Sequence, residues 1–346
     1  GLVMIKPKIN PYIPIIIGVI SVSLSAIFVK FAEADSGVIA FYRMLFSVLI
    51  MSPIFFMKYK HELKYLNKRE WLFTSIAGIF LAFHFILWFE SLNYTSVASS
   101  TVLVTLQPIF ALAGTYLFFK EKITVKAIGA TIVAISGSVL IAWGDFKVSG
   151  DAFFGDILAL IACALVTGYF LFGQEVRKQL SLITYTMVVY SVSTVVLFVY
   201  VVFAGQSFGP YESKEWIMFL LLAIVPNLLG HNLFNWAIKY VSTNIISITI
   251  LFEPIGASLL AFLVFGEFLT PSQIVGGIIV IVGITVFIVD FKNIKKFVDV
   301  EELRELGEKL YNIAKENMPY LIPEIDKTKI KEQDSVDEYL EKTLQS

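Results

Sequence analysis

The chain has 346 residues, 57% of them hydrophobic and 16% charged, with a mean hydropathy of +0.77. Soluble domains carry about a quarter charged residues, so this composition belongs to a membrane protein. A formal net charge of −1 and a pI near 6.4 lack the basic footprint that nucleic acid requires. The single cysteine, Cys163, excludes an internal disulfide and a thiolate metal site.

A helix needs about 20 mostly apolar residues to cross roughly 30 Å of hydrocarbon. With that ruler the chain yields ten candidate spans, near 11–30, 37–57, 71–90, 97–118, 124–143, 153–173, 182–204, 216–236, 243–265 and 272–290. These runs are longer and more continuous than the alternating segments of a membrane β-barrel. The expected fold is therefore an all-α bundle of ten transmembrane helices. The first run follows Lys6 and Lys8 and precedes "AEA" at 32–34, which imitates a secretory signal. It is nonetheless long enough to span, and the repeat described below uses it as a first helix.

Of the 55 charged residues, 23 lie between Lys292 and Ser346, so residues 291–346 are expected to form a soluble, short helical tail. Its amphipathic stretch runs from Val298 to Glu316, with Leu303, Leu306 and Leu310 on one face. With the N-terminus inside, 16 Lys and Arg of the connecting segments fall on the cytoplasmic side, against Lys30, Lys147 and Lys214 outside. The positive-inside rule then places both termini in the cytoplasm of a cell that carries the protein in its plasma membrane. All five tryptophans, Trp71, Trp88, Trp143, Trp216 and Trp236, are expected at span ends, as in an aromatic belt.

Spans four and nine repeat one another. Pro108 and Pro254, Glu121 and Glu267, Thr124 and Thr270, and Gly137 and Gly283 are each separated by 146 positions, as are Tyr94 and Tyr240. Two halves of five spans follow, 12–143 and 153–290, and an odd number of spans turns the second half upside down relative to the first. Inverted repeats of this kind are a common plan of secondary transporters, with the solute site near the midplane.

"QPIFALAGTYLFFKEKIT" and "EPIGASLLAFLVFGEFLT", preceded by "SLNYTSVASSTVL" and "AIKYVSTNIISIT", resemble the drug/metabolite transporter superfamily, specifically the ten-span permeases built from two EamA domains. "FYRMLFSVLI" looks like the arginine-bearing second span of that family. The resemblance covers about residues 12–290. It implies a transporter, often an exporter, of small metabolites such as amino acids or amines, with helices of both halves around a central cavity. His84 and the tail depart from the pattern.

An intramembrane acid signals function by default, and Glu253 lies mid-span directly before Pro254. It is expected to bind a cationic group or to take up a proton, whereas its counterpart Gln107, before Pro108, cannot ionise. Arg43 is expected to hold a substrate carboxylate through its planar fork or to pair with Glu90. His84 and His231 are proton-relay candidates, and a neutral interhelical hydrogen bond is the alternative role. Asn227, His231 and Asn235 recur every four residues and are expected to share one face. Tyr169, Phe172, Phe85 and Trp88 are candidate cavity aromatics, with core packing as the other reading. Glu121 and Glu267 are expected to accept hydrogen bonds from the first turn of the helix that follows each of them. Gly129, Gly137, Gly276, Gly277 and Gly283 offer surfaces for close helix packing.

No HExxH, GxSxG or Walker sequence occurs, and the acids show no evident pairing, so an enzyme is not expected. The partners called for are a small solute, protons and the bilayer, with a homodimer left open and no metal or cofactor. The competing reading is a channel or sensor that uses the same fold with the tail as a signalling arm.

Overall fold

The computed structural model describes residues 9–10, 12–120, 122–177, 180–231, 233, 252–288 and 312. The chain divides into two units, Gly1–Val289 and Asp290–Ser346, and the description concerns the first. The tail, expected to be helical, apart from residue 312, together with Glu121 and the part of span nine before residue 252, falls outside the described residues.

The described residues are helical, with no strand among them. In chain order the elements are α1 (Tyr12–Phe31), α2 (Ser36–Ile54), α3 (Lys68–Tyr94), α4 (Val97–Val104), α5 (Gln107–Phe119), α6 (Val125–Val148), α7 (Gly150–Arg177), α8 (Leu182–Phe203), α9 (Ser213–Leu222), α10 (Glu253–Phe265) and α11 (Pro271–Ile288). A π-helical stretch, Phe55–Tyr59, and a 3₁₀ turn, Lys60–Tyr65, follow α2, and α9 runs on as a π-helix over Ala223–His231. Eight of the described helical segments are long and apolar enough to cross a membrane, and α10 and α11 are shorter apolar helices. Ile132 and Ile278, at 60% and 57% exposure, belong to apolar outer faces that suit lipid.

The helix starts follow from local chemistry. Ser96, Thr124, Ser181 and Thr270 each accept a backbone N–H three residues on, at 3.1–3.3 Å, satisfying donors that a helix N-terminus leaves unpaired. Gln273 returns the bond to Thr270 N–H at 3.0 Å, completing a capping box. Prolines explain the irregular turns. Pro53 lies just before one π stretch and Pro226 lies inside the other. A proline removes one N–H from the ladder, and local widening re-pairs the freed carbonyls.

Span four is broken. Its helix stops at Val104, turns at Thr105–Leu106 and restarts at Gln107, with Pro108 as the second residue of α5. Restart positions repeat through the chain: α5 and α10 begin at 107 and 253 and end at 119 and 265. Helices α6 and α11 begin at 125 and 271, and α2 and α8 at 36 and 182. Each pair differs by 146, the spacing of the sequence motifs. Both α5 and α10 are followed by a residue at positive φ, Lys120 (51°) and Gly266 (67°).

Hydrogen bonds gather the connections into two ends. At the lysine-poor end, Glu267 pairs with Lys30 and accepts Val97 N–H at 3.1 Å, and Glu215 accepts the N–H groups of Glu33 and Ala34 at 2.8 and 3.2 Å. At the lysine-rich end, Glu62 accepts Ser181 N–H at 3.3 Å and the Ser181 hydroxyl at 2.6 Å. Thus Glu267 serves Val97 at the start of α4 and the cation ending α1, not the helix after it, whose first turn Thr270 and Gln273 already satisfy. Trp88 is 5% exposed and so is not a belt residue, whereas Trp71 and Trp143 are exposed.

Helices α6 and α11 touch through backbone. A Cβ at Gly137 would lie 2.7 Å from the Gly276 carbonyl oxygen, and one at Gly283 would lie 2.8 Å from Ala134 N. Gly129 faces open space, and at Gly277 the nearest neighbour would be Val102 at 3.7 Å. Gly137→Leu is therefore expected to destabilise the bundle by about 1–3 kcal/mol through overpacking, while Gly129→Leu has little effect. Denaturation midpoints in mixed micelles check the contrast.

Candidate functional site

Arg43 sits eight residues into α2 and is 3% exposed. A guanidinium taken out of water costs several kcal/mol unless it is paired and fully hydrogen-bonded. Its partners come from three other elements. Asn227 Oδ1 accepts Nε–H at 3.1 Å and an Nη2–H at 2.5 Å, and Ser25 Oγ on α1 accepts an Nη1–H at 3.0 Å. Below it, Arg43 Cζ lies 4.5 Å from the ring centre of Phe85 and 5.7 Å from that of Phe89 on α3, a cation–π arrangement. The Asn227 amide is held in turn, since Nδ2 donates to Ser47 Oγ at 3.1 Å and that hydroxyl donates to the Arg43 carbonyl at 2.8 Å.

Asn227 reaches this place because it follows Pro226 inside the π-helical stretch. The wide turn alters the spacing on which a four-residue stripe depends, so α-helical periodicity does not carry from Asn227 to His231. The side chain of His231, together with Asn232 and Asn235, lies outside the described residues.

Glu253 is the first residue of α10, half-buried, and its carboxylate is close enough to Arg43 for each to sense the other's charge. Ser23 on α1 donates to its backbone carbonyl at 3.5 Å. At 1.5 Å per residue, Glu253 lies about 18 Å and Arg43 about 10 Å along their helices from the lysine-poor end. Both therefore sit inside a hydrocarbon core roughly 30 Å thick. Gln107, half-buried, occupies the same first position of α5.

Arg43 does not pair with Glu90. That carboxylate accepts the Ser36 hydroxyl at 2.7 Å and an Asn93 amide at 3.5 Å. His84 is 7% exposed, and its Nδ1 donates to the Ala162 carbonyl at 2.7 Å, which is the interhelical bond of a neutral or charged ring. The ring lies near-parallel to Trp88, 8° apart with centres 6.3 Å away. Trp88 Nε1 is buried without a hydrogen-bond partner among the described residues. Tyr169 is half-buried and stacks on Tyr185 at 6.4 Å, and Phe172 packs edge-on against Phe73 at 5.6 Å. The structure thus brings Arg43, Asn227, Ser25 and Phe85 together, with His84 against Phe85 and Trp88, and keeps Phe172 in packing.

Sequence reading missed two groups. Ser25 and Ser47 carry no distinguishing signal in apolar helices. The acids did pair after all: Asp145 and Asp156 both meet the Thr95 hydroxyl, at 3.5 and 2.8 Å. A readable sign existed, because Asp156 lies inside the apolar run of span six.

The guanidinium has five N–H donors, and the three bonds named leave two for another acceptor. Removing the anchor exposes the cost of that arrangement. Asn227→Leu is expected to lower unfolding stability by about 1–3 kcal/mol, with Asn227→Asp retaining most of it. Chemical denaturation in mixed micelles reads both.

Residues 10–143 and 153–289 each match the model of the EamA-like transporter family. The chain is 24% identical over 251 residues to the uncharacterized transporter YxxF of Bacillus subtilis, covering 72% of this chain and 80% of that one. It is 23% identical over 273 residues to an uncharacterized transporter of Archaeoglobus fulgidus, covering 79% and 94%. To the riboflavin transporter ImpX of Fusobacterium nucleatum it is 24% identical over 259 residues, covering 71% and 86%. A solved crystal structure superposes with a TM-score of 0.56 at 11% identity, covering 80% of this chain and 95% of the other, a likeness of fold alone.

Proposed function

The chain belongs to the EamA-like transporter family and is a multi-pass membrane transporter, not an enzyme; from that premise we propose that it exports a small metabolite such as an amino acid or amine by proton-coupled alternating access. The two halves, 12–143 and 153–290, act as inverted five-helix repeats, ten spans in all, and rock about the centre. The coincident helix limits 146 positions apart support that reading, as does the charge asymmetry between the two ends. In it, both termini are cytoplasmic and the protein resides in the plasma membrane.

The observation that carries the proposal is a buried Arg43 on the first repeat held by Asn227 of the second, with the half-buried acid Glu253 at the start of α10. In this reading the two remaining guanidinium N–H groups take a substrate carboxylate. Glu253 receives the substrate ammonium or, when the site is empty, a proton. Asn227 holds Arg43 in position from the second repeat, so that relative motion of the halves alters the cation's surroundings. Gln107 offers a neutral polar group at the matching helix start. Trp88 and His84 form an aromatic wall, and Tyr169, His231 and Asn235 belong to the path.

Flux of radiolabelled amino acids, amines and riboflavin into proteoliposomes tests this. The expectation is saturable flux of an amino acid or amine, accelerated by a pH gradient. Glu253→Gln is expected to lower it by about tenfold or more, in line with loss of a functional intramembrane acid, and to flatten its pH profile. An unchanged rate and pH profile in Glu253→Gln would remove proton coupling from the account. Flux of riboflavin alone would overturn the charged-substrate assignment, and non-saturating flux would favour a channel.

A further inference from the structure

Asp145 lies in the last turn of α6 and Asp156 in the second turn of α7, at 4% and 0% exposure, and both carboxyls meet at the Thr95 hydroxyl. They are short of hydrogens. Thr95 has one hydroxyl proton for both, and it favours Asp156 Oδ1 at 2.8 Å over Asp145 Oδ2 at 3.5 Å. Gln273 Nε2 has two hydrogens and three acceptors, Ser96 Oγ at 2.8 Å, Ser99 Oγ at 3.0 Å and Asp145 Oδ1 at 3.4 Å. The other oxygen of Asp156, Oδ2, is buried with no partner among the described residues.

Among the described residues, the surroundings supply no compensating cation. Lys147 of α6 extends over the Trp143 ring at 5.5 Å, and Lys30 is engaged by Glu267. On α7, Asp151 is exposed; Tyr94 of α3 packs edge-on against Phe154 at 5.1 Å. From α4 and α11 come the neutral groups Ser96, Ser99 and Gln273. Two buried acids gathered on one hydroxyl, with no cation among the described residues facing them, repel one another as carboxylates.

The close approach is built into the backbone. Each aspartate follows a glycine, in "WGDF" and "FGDI". A Cβ at Gly155 would lie 2.7 Å from Thr95 N, and a Cβ at Gly144 would run into the Ser272 side chain. These glycines let the α3–α4 corner and the start of α11 close on the two acids. Thr95, Ser96 and Ser99 fall in the first family match, while Asp156 and Gln273 fall in the second.

We propose that Asp145 and Asp156 share one resident proton, carried as an O–H between Asp156 Oδ2 and Asp145, and that this proton latches the two repeats together at the lysine-poor end. When that end opens, the proton passes to water, leaving two carboxylates whose repulsion keeps the end apart. Closure takes a proton back from water. The latch rests on the alternating-access reading, but the proton itself does not.

Infrared difference spectroscopy of the protein in bilayers at neutral pH tests the proton without any transport assay. The expected result is a protonated-carboxyl C=O band that shifts in D₂O, persists in Glu253→Gln and is lost in Asp156→Asn. A band of full strength in Asp156→Asn overturns the proposal, as does one that appears only when sodium is withheld, since the pair would then hold a cation. Should Asp156→Asn fail to fold, Asp145→Asn is expected to lose the same band. The latch is read by alkylation in Ser100→Cys, made in a Cys163→Ser background. Labelling is expected to rise severalfold with external pH in the otherwise native chain and to lose that dependence in Asp156→Asn; pH dependence retained there contradicts the latch.

Discussion

A guanidinium buried at membrane depth is the constraint on which the centre of this protein depends. Lipid offers no partner for it, so Arg43 must find every hydrogen-bond acceptor within the bundle. It draws Asn227 from the π-helical extension of α9, Ser25 from α1 and two phenyl faces from α3. Those contacts fix the relative rotation of four helices. They also explain why Asn227 sits next to a proline: the interrupted ladder at Pro226 presents the amide while the π turn re-pairs the carbonyls. Among the described residues, the buried cation of the centre is thus a structural keystone that ties α1, α2, α3 and the extension of α9 together.

The second constraint is the proline at position two of α5 and α10. A helix that begins in mid-membrane turns the positive end of its dipole toward whatever lies before it. The chain does this twice, at Gln107 and at Glu253, with the same helix length each time. One start carries a neutral amide and the other an acid. A shared backbone with unequal charge is what a transporter needs if two similar halves are to exchange roles around one asymmetric solute.

Much of this was legible from sequence for identifiable reasons. Hydropathy locates the eight described segments that are long enough to cross, because the bilayer imposes their length. The 146-residue spacing identifies Pro108 with Pro254 and Thr124 with Thr270, and these residues do begin matching helices. Close packing by Gly137, Gly276 and Gly283 follows from residue size. What failed depended on three-dimensional partners. Of the two partners open to Arg43 in the sequence, Glu90 lies five residues from Phe85 and one from Phe89 yet binds Ser36 and Asn93 instead. Trp88 was assigned to the belt because α3 extends beyond its apolar run, so the span end was drawn too early. The same shortening put Asp145 in a loop and hid its encounter with Asp156. Glu267 was given to its own following helix, since sequence shows neighbours along the chain and not Val97, brought near by the fold.

The central claim is that Arg43 and Glu253 form one electrostatic unit across the two repeats. A double-mutant cycle with Arg43→Gln, Glu253→Gln and the pair, read as unfolding free energy in mixed micelles at neutral pH, tests it most directly. The account predicts a coupling energy of about 0.5–3 kcal/mol, the range for groups that share an interaction. Strict additivity of the two single substitutions would contradict it.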